Sequence, residues 1–243
     1  MRTEIILQHG WGFDGTIWQD WCHELEQLPD CEVSIGERGY YGRPLACPEF
    51  SQKAEARILI THSLGLHLVP QETLKKANAL IMLGGFLRFH PSEQLAGKRS
   101  KRVTKAMLEK LKDAPDTVLA DFMNNCYSDR PAQTPLLLES IQDKERLESD
   151  LRLLDTCDME SELLQPIPSI MIMHGWVDAI VPYSNAIIMH QLFPGSKLIS
   201  FREAGHALPF SHANECVFAI KHFLTDVLHA IGEASPAKTT QTR

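Results

Sequence analysis

The chain has no CxxC pair. Its six cysteines, Cys22, Cys31, Cys47, Cys126, Cys157 and Cys216, are scattered, a spacing that suggests neither a zinc site nor a disulfide framework and fits reduced thiols in a cytoplasm. It has no apolar run of the roughly 18–20 residues needed to cross a bilayer, so a soluble protein without a membrane partner is expected. Nucleotide-binding signatures are also missing, since neither GxGxxG nor GxxxxGK[ST] occurs. Positive charge is short overall: 24 Lys and Arg stand against 31 Asp and Glu, and a formal charge of −7 argues against general nucleic-acid binding. The opening, MRTEIILQHG, enters a core-strand pattern at once and leaves no room for the charged and apolar regions of a signal peptide. There is no internal repeat.

What is present is a chain of 243 residues with 44% hydrophobic content, enough for one sizeable domain, or one domain with a large insertion, to fold without staples. Short β-rich apolar runs at 4–8, 31–35, 57–61, 79–83, 169–173 and 197–201 alternate with helical patterns at 16–27, 64–75, 183–192 and 213–230. That alternation predicts an α/β fold, a mostly parallel sheet flanked by helices. It stops after 83–85 and resumes at 166–168. The interval 86–165 has helical patterns and no strand, so it is expected to be an inserted helical cap on a core made of 1–85 and 166–231. Residues 232–243, rich in Ala, Ser, Thr and Lys and without periodicity, are expected to form a disordered tail.

Within this frame, RILITHSLGLHLVP reads as a strand that breaks at Ser63 and resumes as a helix. A serine on such a turn projects its hydroxyl above the carboxyl ends of the strands, facing the next helix's N-terminal N–H groups. The same position also suits a plain helix N-cap. A nucleophile needs a base and the base an orienting acid, and on such a scaffold the order is serine, acid, histidine. After SIMIM comes HGWVDAIVP, with Asp178 just past the strand; after KLISF comes REAGHALPF, with His206 behind a glycine. Each alone is weak. Together, in order and each past a strand end, they predict a Ser63–His206–Asp178 triad. An oxyanion hole would use the N–H of Leu64 and, from the loop HGWGFDGTIW after the first strand, the N–H of Trp11, where Gly10 and Gly12 let the backbone come close.

These residues, HGWG before a Trp-containing helix, xHSLG, GWVDxxVP and GHAxPFSHxxE, resemble the α/β-hydrolase superfamily. Within it they are similar to the pimeloyl-[acyl-carrier protein] methyl ester carboxylesterases of biotin synthesis. The resemblance implies an α/β-hydrolase fold and hydrolysis of a carrier-bound methyl ester to a free carboxylate and methanol, with Ser63, Asp178 and His206 as nucleophile, acid and base. It implies substrate contacts at Trp11, Ser63, Leu64 and His206, and from the cap at Phe122, Met123, Asn124, Asn125 and Cys126. No metal or organic cofactor is required. The partner implied is an acyl carrier protein, for an enzyme expected to be a cytoplasmic monomer. Fold and triad do not fix the substrate, so a small-ester esterase, a thioesterase, the menaquinone-pathway C–C lyase and a non-catalytic ligand-binding scaffold stay open. Two departures stand out: Thr61 occupies the first small position of the elbow, and the chain starts at the HG-bearing strand, without the leading hairpin common in the superfamily, so a shortened sheet is expected. His62, where the family often has a bulky aromatic, is expected to line the acyl pocket.

In GKRSKRVTK, Lys98, Lys101, Arg102 and Lys105 recur at i, i+3, i+4 and i+7, so a helix carries them on one face with Arg99 nearby. That face suits an acidic carrier protein, or is simply a solvated charged face. Val118, Leu119, Phe122 and Met123 either wall an acyl channel or form the cap's own core.

Overall fold

The computed structural model describes residues 1–127 and 141–234. Among these residues the chain builds one six-stranded sheet: β1 (Thr3–Gln8), β2 (Cys31–Gly36), β3 (Ala56–His62), β4 (Ala79–Leu83), β5 (Ser169–Gly175) and β6 (Lys197–Phe201), in the order β2-β1-β3-β4-β5-β6. Every neighbouring pair is parallel. Alternate side chains serve opposite faces, because successive side chains of a strand point to opposite sides. Ile5, Leu7, Ile58, Ile60, Ile81 and Leu83 join one apolar cluster. Ile6, Leu59, Leu80 and Met82 join the other. The four central strands, buried on both faces, need such continuous apolar runs, whereas the edge strands β2 and β6 are only partly buried and intersperse apolar with polar residues.

The strand order reverses at β1, whose neighbours are β2 on one side and β3 on the other. In open α/β sheets this switch point opens a crevice beyond the carboxyl ends of the strands. The loop after β1 and the turn after β3 face each other there.

The helices correct the sequence reading in three places. The segment expected as one helix at 64–75 is two, α2 (Gly65–Leu68) and α3 (Gln71–Lys76). Pro70 explains the break: the residue before a proline is pushed out of the helical region, and Val69 has φ −77 and ψ 132. The pattern at 16–27 is a 3-10 turn, Gly15–Trp18, begun by the Asp14 side chain accepting from the Thr16 N–H, followed by α1 (Gln19–Leu25). The last helix reaches into the expected tail. After α7 (Ser184–Leu192) and the short α8 (Leu208–Ser211), α9 runs over Ala213–Ala234. Ile231, packed against the core, carries the helix past Gly232; a glycine there costs only about 1 kcal/mol. Residues 235–243 lie outside the described residues.

Between β4 and β5 stand α4 (Gln94–Leu111), α5 (Pro115–Cys126) and α6 (Lys144–Thr156), with a 3-10 turn at Ser161–Leu163. Val118, Leu119, Phe122 and Met123 of α5 and Leu147, Leu151 and Leu154 of α6 share the apolar cluster of the sheet face that holds Ile5 and Leu7. A polar clamp adds to the packing. Asp150 on α6, buried, accepts two hydrogen bonds from the Arg38 guanidinium at 2.7 and 2.6 Å and one from the Tyr40 hydroxyl at 2.6 Å.

Candidate active site

Ser63 follows β3 with φ 54, a left-handed backbone that costs a non-glycine residue roughly 1–3 kcal/mol unless the surroundings enforce it. They do. The Ser63 N–H donates to the Leu83 carbonyl at 2.9 Å, and a Cβ at Gly65 would lie 2.4 Å from the Gln8 carbonyl oxygen. The helix after the turn therefore presses against β1 with no room for a side chain at 65. The residue in the N-cap position of α2 is Leu64, without a side-chain cap bond, so the hydroxyl of Ser63 is not the cap. Thr61, which departs from the usual elbow, is buried inside β3 between Gln8 and Met82. Its Oγ1 has no hydrogen-bond partner among the described residues. The tight position of this elbow is Gly65, and Thr61 leaves its geometry intact at the cost of one unpaired hydroxyl.

The Ser63 Oγ lies 2.9 Å from Nε2 of His206, and Nδ1 of His206 lies 2.7 Å from Oδ2 of Asp178. With Asp178 ionised, Nδ1–H donates to the carboxylate, so Nε2 is free to accept the serine proton. The other carboxylate oxygen, Oδ1, accepts the N–H groups of Ile180 and Val181 at 2.9 and 2.8 Å. Burial alone would raise the Asp178 carboxyl, but the charge interaction with His206 and hydrogen bonds from His174 and His206 outweigh it and hold the group well below the usual carboxylate range. The acid is thereby held in its ionised form at neutral pH. The three residues come from the carboxyl ends of β3, β5 and β6, as the sequence spacing predicts.

Two glycines make this approach possible. Gly84, at φ 55, would place a Cβ 3.2 Å from Nδ1 of His206 and 3.5 Å from Oδ2 of Asp178; Gly175 would place one 2.1 Å from the Ala204 carbonyl oxygen. Gly84 was not recognised as part of the site; its signal was the glycine pair closing β4. His174 was also missed: its Nε2–H donates to the Val181 carbonyl at 2.8 Å and lies 3.4 Å from Asp178 Oδ2.

The loop after β1 abuts the elbow: a Cβ at Gly10 would meet the Ser63 Cβ and the His62 carbonyl at 2.8 Å and the Leu64 nitrogen at 3.3 Å. This brings the backbone of Gly10 beside the nitrogen of Leu64. The Trp11 indole is buried and donates to the Leu147 carbonyl of α6 at 2.7 Å. From α5, Phe122 packs edge-on against Trp11 at 4.9 Å and lies 6.4 Å from His206, while the Cys126 carbonyl accepts the Ala207 N–H at 3.1 Å. Met123 and Cys126 are buried with it. Asn124 and Asn125 of the same stretch are exposed, and Asn125 donates its amide to the Asp121 carbonyl of its own helix at 2.7 Å. Of the five residues expected to contact substrate from this stretch, Phe122, Met123 and Cys126 point inward and Asn124 and Asn125 face solvent, as the helical spacing dictates. His62, expected to line the acyl pocket, is fully buried with its ring 4.9 Å from that of His206.

Lys98, Arg99, Lys101, Arg102 and Lys105 are all exposed on α4. Lys105 pairs loosely with Glu109 at 3.9 Å, and the other four form no ion pair among the described residues. Leu95 and Val103 lie exposed among them.

Comparison with known proteins agrees with this architecture. The family described as TAP-like protein matches residues 157–229, the stretch that carries Asp178 and His206. The chain is 25% identical to the pimeloyl-[acyl-carrier protein] methyl ester esterase of Aliivibrio fischeri, over 91% of this chain and 93% of that one. It is 26% identical to the protein of the same name from Proteus mirabilis, over 88% and 89%. Among solved structures it resembles a bromoperoxidase from Bacillus anthracis (TM-score 0.73, 16% identity, covering 93% of this chain and 92% of that one). It also resembles an esterase from Exiguobacterium antarcticum (TM-score 0.72, 17% identity, 92% of each chain). The fold is the α/β-hydrolase fold, and the chain is similar to enzymes that hydrolyse esters.

Proposed function

We propose that this protein is a serine carboxylesterase that hydrolyses the methyl ester of a pimeloyl group carried on an acyl carrier protein, releasing methanol and leaving the carrier-bound acid, in biotin synthesis. The observation that carries the reading is the unbroken hydrogen-bond chain from Ser63 through His206 to Asp178 on a left-handed elbow. The names of the relatives support the choice of ester.

In this mechanism the ester carbonyl enters the hole formed by the N–H groups of Trp11 and Leu64. Ser63 attacks it while His206 takes the hydroxyl proton, and Asp178 holds the imidazole in the required tautomer. Collapse of the tetrahedral intermediate expels methanol, protonated by His206. Water, deprotonated by the same imidazole, then attacks the acyl-serine and frees the carboxylate. Phe122, Met123 and Cys126 of α5 wall the acyl side. The exposed cations of α4, interspersed with Leu95 and Val103, dock the acidic carrier by charge complementarity. The enzyme works as a cytoplasmic monomer.

The test compares the carrier-bound methyl ester with the free methyl ester. The carrier-bound form is expected to be hydrolysed, and Ser63→Ala to lose turnover at least a thousandfold while keeping the wild-type unfolding transition. Failure of the enzyme to release methanol from the carrier-bound ester, with small esters still cleaved, would overturn the substrate assignment.

A further inference from the structure

His62 is a fully buried histidine with no part in the chemistry above. It is the residue before the nucleophile, and its backbone belongs to β3, paired with Leu83. Its ring reaches the loop after β6: Nε2 lies 3.0 Å from the carbonyl oxygen of His206, and the two rings are 4.9 Å apart. A carbonyl can only accept, so Nε2 carries the proton. Nδ1 is then the bare nitrogen, and it has no partner among the described residues. Burial, with the neighbouring His206 adding to it, pushes the His62 pKa to about 3, so the ring stays neutral and keeps this tautomer. Phe13, edge-on at 5.0 Å, fixes the ring from another side.

We propose that His62 is a positioning residue for the base: its Nε2–H, bonded to the His206 carbonyl, ties the loop that carries His206 to the strand that carries Ser63. The inference rests on the reading of Ser63 and His206 as the reacting pair. It adds to what the loop otherwise has: the Ala207 N–H donates to the Cys126 carbonyl at 3.1 Å and Asp178 holds Nδ1 of His206 at 2.7 Å, but neither tie reaches the strand that carries Ser63. A hydrogen bond from the residue adjoining the nucleophile links nucleophile and base through one side chain, so displacement of either is felt by the other. Misplacement of a proton acceptor by a fraction of an ångström lowers the rate of the chemical step without altering ground-state binding.

The test uses the full chain, p-nitrophenyl acetate as a small activated ester, and the labelling rate of a fluorophosphonate probe. His62→Phe keeps the aromatic bulk and removes the donor; His62→Gln keeps a donor. Where His62→Phe does not give a cooperative unfolding transition, His62→Leu takes its place, and all rates are counted per folded molecule. The expected result for the donorless variant is a fall in kcat of about tenfold or more at a KM within twofold, and a matching fall in labelling rate. His62→Gln is expected to recover most of that loss. A donorless variant with kcat within twofold of wild type, a change confined to KM, or no rescue by glutamine would overturn the proposal. Ser63→Ala in the same assay separates the two claims: turnover there would remove the nucleophile assignment itself, whereas loss of turnover in Ser63→Ala beside an unaffected His62→Phe would remove only the role of His62.

Discussion

Thr61 Oγ1 is buried beneath the elbow with no partner among the described residues, and an unpaired buried hydroxyl is destabilising relative to an apolar group of the same shape. Thr61→Val is therefore expected to raise stability by about 1 kcal/mol and leave turnover unchanged. Urea unfolding checks it; a loss of stability would mean that the hydroxyl has a partner. His62 supplies a second expectation. Its pKa is about 3 in the folded chain against a reference of 6.5, so between those values the unfolded chain binds a proton there that the native chain does not. Stability at this site is fully present above pH 6.5 and is lost as the pH falls toward 3. From pH 7 to pH 5 the loss amounts to about 2 kcal/mol, and His67, whose pKa burial also lowers, adds in the same direction. Urea unfolding at pH 7 and pH 5 should therefore show a steeper acid loss in wild type than in His62→Phe. Equal losses would contradict the buried neutral state of the ring.

Element by element, the places where the chain must lack a side chain were only partly visible beforehand. Gly10 and Gly65 were legible because each stands in a motif whose purpose demands close approach. Gly84 and Gly175 were not, because what they approach, His206 with Asp178 and Ala204, is joined by tertiary packing that no local spacing reveals. The break between α2 and α3 is not in the sequence reading although Pro70 signals it, and the inward and outward residues of α5 needed the phase of the helix, which separated Phe122, Met123 and Cys126 from Asn124 and Asn125. Gly65→Ala tests the tightest contact. The added methyl meets the backbone oxygens of Gln8 at 2.4 Å and His9 at 3.0 Å, and strand backbone cannot give way, so a loss of roughly 1–3 kcal/mol or more is expected, with turnover reduced at least tenfold. Gly42→Ala is the matched control: nothing lies within 4 Å of its added methyl, so its stability should stay within about 0.5 kcal/mol of wild type. Equal effects at the two positions would contradict the packing of the elbow against β1.

For the molecule as a whole, the parallel order of six strands and the reversal at β1 bring the loop after β1, the elbow after β3 and the loops after β5 and β6 to one edge of the sheet. The strands were legible to within one or two residues, the four central ones because apolar runs buried on both faces have few other uses, the edge strands β2 and β6 because apolar residues are interspersed with polar ones in them. The triad was legible because three residue types fell in the right order behind strand ends. The clamp of Arg38 and Tyr40 on Asp150 was not, since it joins residues more than a hundred positions apart. The charge distribution carries its own prediction. An acidic chain with exposed cations gathered on α4 should lose affinity for an acidic carrier when Lys98, Lys101, Arg102 and Lys105 are changed to Glu together. KM for the carrier-bound ester should rise at least tenfold and fall with added salt less than in proportion, while hydrolysis of the free methyl ester stays unchanged. Unaltered turnover of the carrier-bound ester would remove α4 as the docking face.

The most direct test of the central claim is to label the full chain with a fluorophosphonate probe and map the adduct by mass spectrometry. The account predicts a single adduct on Ser63, formed in step with loss of esterase activity and absent from Ser63→Ala. An adduct on any other serine, or full activity in a chain whose Ser63 is blocked, would contradict it.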